Sequence, residues 1–158
     1  MIITRLSLHD PRHESALLTL MNDYACSVEG GGRPLEPQAR ESLPAMLATC
    51  PTYIGLLAFR QGEPAGILNA FWSVSTFKAR RLLNIHDLAV AKTHRRHGVG
   101  LALLTEIEAV ARTLDCCKLT LEVLSGNTGA CRLYEARGFA AYQLDPSMGD
   151  ARFMQKWI

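Results

Sequence analysis

The amino-acid sequence predicts one mixed domain, α/β or α+β, over residues 1–158. Three observations lead there. A length of 158 residues suits one domain with one core. Short apolar or alternating runs take turns with longer stretches whose apolar residues recur at spacings of three and four, the patterns of strands and helices. Glycine and proline clusters fall between those runs, and no repeat, linker or low-complexity segment interrupts them. The elements follow in the order βαα-βββ-αβ-αββ.

Residues 2–8 alternate as a short strand. Pro11, a good helix opener, starts a helix that carries Leu17, Leu18, Met21 and Tyr24 at helical spacings. Glu29-Gly30-Gly31-Gly32-Arg33-Pro34 breaks it with a loop. A second helix covers about Pro37 to Thr49, where Pro44 predicts a kink or a helix in two parts. Tyr53 to Phe59 is a strand, Arg60-Gln61-Gly62-Glu63-Pro64 a hairpin turn, and Ala65 to Val74 the returning strand. After a connector over 75–81, Leu82 to Val90 has the apolar content of a buried strand. From about Val99 to Leu114, a helix presents Leu103, Ile107, Val110, Ala111 and Leu114 as one stripe. A strand is expected over 117–124. Asn127 suits the N-cap of a further helix and Gly138 its C′ position. Strands near 139–144 and 151–157, parted by the turn 145–150, close the chain.

Composition narrows the function. The chain is 48% hydrophobic and 20% charged, as globular proteins are. A net charge of +2, with one short basic cluster at Lys92, Arg95 and Arg96, argues against a nucleic-acid partner, which usually meets a whole basic face. No apolar run approaches the ~18 residues that a membrane span requires, so no membrane partner is expected. The start, Met1-Ile2-Ile3-Thr4-Arg5-Leu6, lacks a secretory apolar core, and a cytoplasmic location is expected. The 5 cysteines are odd in number and expected to be reduced. Cys116-Cys117 lacks metal-ligand spacing, so no metal is expected, and Cys117 alternates with Leu119, Leu121 and Val123 as a strand core residue.

Arg95-Arg96-His97-Gly98-Val99-Gly100 lies between a strand and a helix. Gly98 and Gly100 let backbone amides approach an anion, because no Cβ stands in the way. The helix start adds its dipole and unpaired amides, and the two arginines add charge suited to phosphate oxygens. The bland alternative is a solvated basic loop. The P-loop does not fit, since no Gly-Lys-Ser/Thr follows. The dinucleotide fingerprint does not fit either, since Leu103 stands where its third glycine would be.

Arg95-x-x-Gly98-x-Gly100 resembles the acyl-CoA signature of the GNAT N-acetyltransferase superfamily. Ile85-His86-Asp87-Leu88-Ala89-Val90 is similar to the family's fourth strand and Leu119–Val123 to its fifth. Residues 127–139, from Asn127 through Ala130, Leu133 and Tyr134 to Gly138-Phe139, resemble its Asn-x-x-Ala-x-x-Leu-Tyr-x-x-x-Gly-Phe segment. The resemblance implies a mixed central sheet flanked by about four helices, with the fourth and fifth strands splayed. It implies acetyl-CoA as cosubstrate and a primary amine, on a small molecule or a peptide, as acceptor. Leu88, Ala89 and Val90 would hold the pantetheine arm and polarise the thioester. The amides of Arg96, His97, Gly98, Val99, Gly100 and Leu101, with Arg95, would meet the pyrophosphate. Asn127 and Ala130 would add cofactor contacts.

Direct transfer to an amine needs a base, an oxyanion partner and a proton for the departing thiolate. The resemblance assigns that last proton to Tyr134; the bland alternative is an amphipathic core tyrosine. Cys131 shares its helix face, and an acetyl-cysteine route is a minor option. For the base, His86 stands slightly ahead of Asp87, because imidazole titrates near neutrality. Consecutive strand residues are expected to point to opposite faces, so only one would face the acyl carbon. Glu122 is a further candidate, and packing or turn roles compete for both. Tyr24, Glu29, Trp72 and Phe77 are candidate linings of the acceptor pocket. Exposed sheet edges suggest a homodimer. The alternatives in other classes are a noncatalytic acyl-CoA-binding or regulatory module, which would not need Tyr134, and a nucleic-acid module built on His94-Arg95-Arg96-His97.

Overall fold

The computed structural model describes all 158 residues, which divide into two compact units, Met1–Leu121 and Glu122–Ile158. The first unit holds one five-stranded sheet in the order β1-β2-β3-β4-β5. Its strands are β1 (Ile2–Arg5), β2 (Tyr53–Arg60), β3 (Glu63–Ser75), β4 (Arg80–Val90) and β5 (Leu119–Leu121). The first four pair antiparallel, and β5 pairs parallel to β4. The unit also holds α1 (Pro11–Ala25), α2 (Pro37–Thr49) and α3 (Val99–Thr113).

Local chemistry accounts for most boundaries. Asp10 accepts a hydrogen bond from Arg12 N at 2.8 Å and caps α1, with Pro11 as its first residue. The β2–β3 hairpin turns on Gln61 and Gly62, with φ of 55° and 84°; two positive φ values in a two-residue loop match the twist of the flanking strands. The two-part helix expected at Pro44 is not found. One helix runs through, with Pro44 buried in it, so burial of that ring offsets one missing backbone hydrogen bond.

The sheet has an apolar surface on both sides. Ala16, Leu17, Leu20 and Leu47 from α1 and α2 pack with Leu57, Ile67 and Ala89 from the sheet. On the other side Val99 and Leu103 of α3 lie over Gly66. A Cβ at Gly66 would fall 2.8 Å from Val99 Cγ1 and 2.9 Å from the Ala89 carbonyl oxygen, so the glycine permits this approach. Each fully buried aliphatic side chain contributes roughly 1.5–3 kcal/mol.

The β3–β4 ladder is interrupted once. Asn69 pairs with Asp87 and Ala70 with Ile85, which leaves His86 as an extra residue in β4. The β4–β5 ladder covers only Leu83–Leu119, Asn84–Thr120 and Ile85–Leu121, so β4 runs on beyond it. The strand expected over 117–124 is therefore three residues long. Cys117 precedes it, donating its N–H to the Arg81 carbonyl at 2.7 Å.

The second unit contains α4 (Thr128–Ala136). The strands expected near 139–144 and 151–157 are not formed. A 3-10 turn at Pro146–Met148, capped by Asp145, stands between the two segments. One backbone bond, Ala151 N–H to the Tyr142 carbonyl at 2.9 Å, spans that turn where a ladder would need several. Leu144, Phe153, Met154 and Trp157 are exposed, so neither segment has gained the buried face that stabilises a strand.

Gly66→Ala should destabilise the first unit by about 1–3 kcal/mol, because the added methyl overpacks the α3 contact. Urea unfolding would measure this; an unmoved midpoint would show that α3 does not rest on this glycine.

Candidate active site

The extra residue at His86 decides which side chains share a face. Phe71 and Asn69 are two apart on β3 and point to one side. The His86 ring meets Phe71 edge-on, with centroids 5.8 Å apart, and Asp87 Oδ2 accepts from Asn69 Nδ2 at 3.0 Å. His86 and Asp87 therefore share the face of Asn69 and Phe71, and the expectation that they oppose each other is corrected. A regular strand would alternate; a bulge re-aims two consecutive side chains.

Three strands and one helix furnish this face. Asn69, 3% exposed, accepts from Tyr53 Oη at 2.8 Å through Oδ1 and also contacts Met21 Sδ at 3.3 Å through Nδ2. Tyr53 reaches it across Gly55, where a Cβ would lie 2.3 Å from the phenol oxygen. Burial pushes the Tyr53 phenol well above its ordinary range; the Asp87 charge adds to this and Arg5 opposes it. Burial also raises the Tyr24 phenol, with the charges of Asp87 and then Glu29 adding. Glu29 itself is held low by hydrogen bonds from its own backbone and Ser27, with Arg95 a smaller cause. Tyr24 thus lies within electrostatic reach of Asp87, and Glu29 of Tyr24. Trp72 does not join them. It alternates with Phe71 onto the opposite side and stacks under the Arg81 guanidinium at 4.8 Å, while Phe77 is 83% exposed at the β3–β4 turn.

Further along β4, Leu88, Ala89 and Val90 pair with Leu68, Ile67 and Gly66 of β3, and no β5 residue pairs with them. Their β5-side edge offers backbone groups beyond the ladder. The turn that follows leaves backbone amides without a side-chain cap. Gly98 is the N-cap of α3 with φ of 77°, and no side chain caps the helix. Arg96 also has a positive φ, 62°, and the space where a Gly98 Cβ would stand is open. The first-turn amides of Val99, Gly100 and Leu101 precede the i→i−4 ladder, which begins with Ala102 N–H to the Gly98 carbonyl at 3.0 Å. Arg95 Nε donates to the Val90 carbonyl at 3.3 Å and joins the turn to the end of β4. His97 is exposed on the same turn.

In the second unit, Asn127 Oδ1 accepts from Ala130 N at 3.2 Å, the N-cap that the sequence suggested. At the other end, Gly138 N–H bonds the Glu135 carbonyl and Phe139 N–H the Tyr134 carbonyl, with Gly138 at φ 84°. This is a Schellman motif. Its accompanying apolar contact is Tyr134 against Phe139, with centroids 5.8 Å apart. Tyr134 is buried, so the Gly-Phe ending of the segment also fixes the tyrosine ring. Glu122 lies one residue past β5.

Sequence reasoning missed Tyr53 and Asn69. Asn69 was visible as the one polar residue in the apolar run Ala65–Trp72, and Gly55 two residues after Tyr53 was the matching sign of room for a ring.

The sheet thus combines a bulged fourth strand, a short parallel fifth strand and a glycine turn opening α3 without a side-chain cap. The chain matches the model of the acetyltransferase (GNAT) family over residues 17–139, and it belongs to that family. It is 35% identical over 83 residues to streptothricin acetyltransferase of Streptomyces lavendulae, covering 52% of this chain and 44% of that protein. It is 33% identical over 82 residues to thialysine N-epsilon-acetyltransferase of Bos taurus, covering 49% and 48%. Each match spans under half of the relative's length. A crystal structure of a probable acetyltransferase shares the fold with a TM-score of 0.80, at 21% identity and 100% coverage of both chains.

Both raised phenols lose protons later in the folded chain than in the unfolded one. Their contribution to stability is complete below the ordinary phenol value, about 10, and is lost as pH rises through the folded values. Asp87→Asn removes a charge that opposes phenolate formation, so the alkaline ultraviolet titration should move to lower pH. A titration unmoved by that substitution would separate Asp87 from both phenols.

Proposed function

We propose that the protein is an N-acetyltransferase that moves the acetyl group of acetyl-CoA directly to a primary amine of a small molecule or peptide. The observation that carries this reading is the succession, within one chain segment, of a β4 edge free beyond Ile85 and an uncapped helix start at Gly98. That pair suits a ligand with an amide-rich arm and a pyrophosphate. The backbone of Leu88, Ala89 and Val90 binds the arm and polarises the thioester carbonyl. Arg95, Arg96 and the amides through Leu101 take the phosphate charge. Asn127 and Ala130 add cofactor contacts.

The acceptor ammonium is drawn to the face that carries Asp87, with the negative charge of Glu29 near Tyr24 adding to it. Two residues of opposite character are available at one place, so their roles divide: Asp87 holds the cation and His86 takes its proton. The free amine attacks the thioester carbon, a C–N bond forms, the C–S bond breaks, the thiolate takes a proton from Tyr134, and the surplus proton on the new amide nitrogen returns to the Tyr134 phenolate. An amine acceptor also agrees with the name of one relative, a thialysine N-epsilon-acetyltransferase. We place the reaction in the cytoplasm. A homodimer is supported by the sheet edge at β1, which pairs with β2 alone and leaves Ile2 exposed.

Mass spectrometry after incubation with acetyl-CoA and a panel of amines tests the reading. Acetylated amine and free CoA are expected. Acetyl-CoA bound but never consumed would favour the noncatalytic acyl-CoA-binding module instead.

Tyr134→Phe should lower kcat by about 100-fold, the scale of general acid catalysis, with little change in acetyl-CoA affinity. A loss confined to KM would reassign Tyr134 to binding.

A further inference from the structure

Asn69 is a buried amide in the middle of an apolar sheet, a costly position unless its polar atoms are used. They are used in one direction. Tyr53 Oη donates to Asn69 Oδ1, which turns Nδ2 toward Asp87 Oδ2. The phenol keeps its proton, because burial and the neighbouring carboxylate both resist its loss. The opposite amide orientation would set Oδ1 against the carboxylate and leave the phenol proton without its acceptor. Gly55, the register partner of Asn69, supplies the room that Tyr53 needs. Positions on β2, β3 and the bulged β4 thus combine to align one carboxylate oxygen.

Resting on the reading of Asp87 as the group that holds the acceptor, we infer that Asn69 and Tyr53 are positioning residues for a primary ammonium. Tyr53 sets the direction of the Asn69 amide. Asn69 ties down Asp87 Oδ2 and leaves Oδ1 for the ammonium. Neither residue touches the reacting atoms; they act on acceptor binding through Asp87. The amide thus holds the carboxylate oriented before the amine arrives.

Steady-state kinetics on Tyr53→Phe, Asn69→Leu and the double variant test this, with acetyl-CoA and with thialysine, L-lysine and spermidine as acceptors. Asn69→Leu should raise the amine KM about 10-fold, the scale of a hydrogen bond to a charged group. Tyr53→Phe should raise it less, and acetyl-CoA KM should hold in both. The double variant should match Asn69→Leu, because Tyr53 acts only through Asn69. Fully additive effects, or equal losses for both substrates, would mean general loosening of the sheet and would overturn the relay. An unchanged amine KM would also overturn it. If Asn69→Leu does not fold, Tyr53→Phe, which keeps the ring, decides alone. If the wild-type chain binds acetyl-CoA but acetylates no member of the full panel of small-molecule and peptide amines, the transferase reading fails first and the relay falls with it.

Discussion

One extra residue in β4 is the constraint on which the site depends. Ile85, Asp87 and Ala89 alternate in sequence and would share a face in a regular strand. Ile85 is 2% exposed and pairs with Ala70, whereas Asp87 pairs with Asn69 on the other side of the pleat. His86 absorbs the difference. Without it, either Ile85 would leave the core or a carboxylate would enter it without Asn69. Both outcomes cost far more than one unpaired strand residue. The bulge therefore satisfies packing and gathers His86, Asp87, Asn69 and Phe71 on one surface.

The same strand links the two halves of the proposed chemistry. Its β5 ladder stops at Ile85, so the backbone that follows keeps groups on that side for a ligand. Its end leads into the Arg95–Gly100 turn, and Gly66 lets α3 settle close enough for its first turn to follow directly. The carboxylate proposed to hold a cation and the glycine turn proposed to hold an anion thereby lie along one element. Strand and helix positions hold such groups more closely than loops do.

Much of this was legible in the residues. The bounds of α2, the caps of α4 and the hairpin turn follow from Pro37, Asn127, Gly138 and Gln61-Gly62, because each is set by interactions within a few residues. The bulge was not legible. It depends on which β3 residue faces which β4 residue, and the letters His86-Asp87 read equally well as a regular pleat. Asn69 and Tyr53 escaped for the same reason, since their pairing joins residues on different strands. The unformed strands after Phe139 show the converse: a strand expected from its place in the chain does not form where no buried face and no continuous ladder receive it. Pro44 sits inside one helix rather than between two, since a buried proline can remain in a helix whose packing outweighs the lost bond.

The direction of the His86 side chain is the central structural claim, and proton NMR distances test it most directly. Nuclear Overhauser contacts from the His86 ring to the Phe71 ring, together with contacts from the Asp87 β-protons to the Asn69 side-chain amide, are the result this account requires. Contacts from His86 to Ala70 or Leu83, with Asp87 alone near Asn69, would mean a regular alternation and would contradict it.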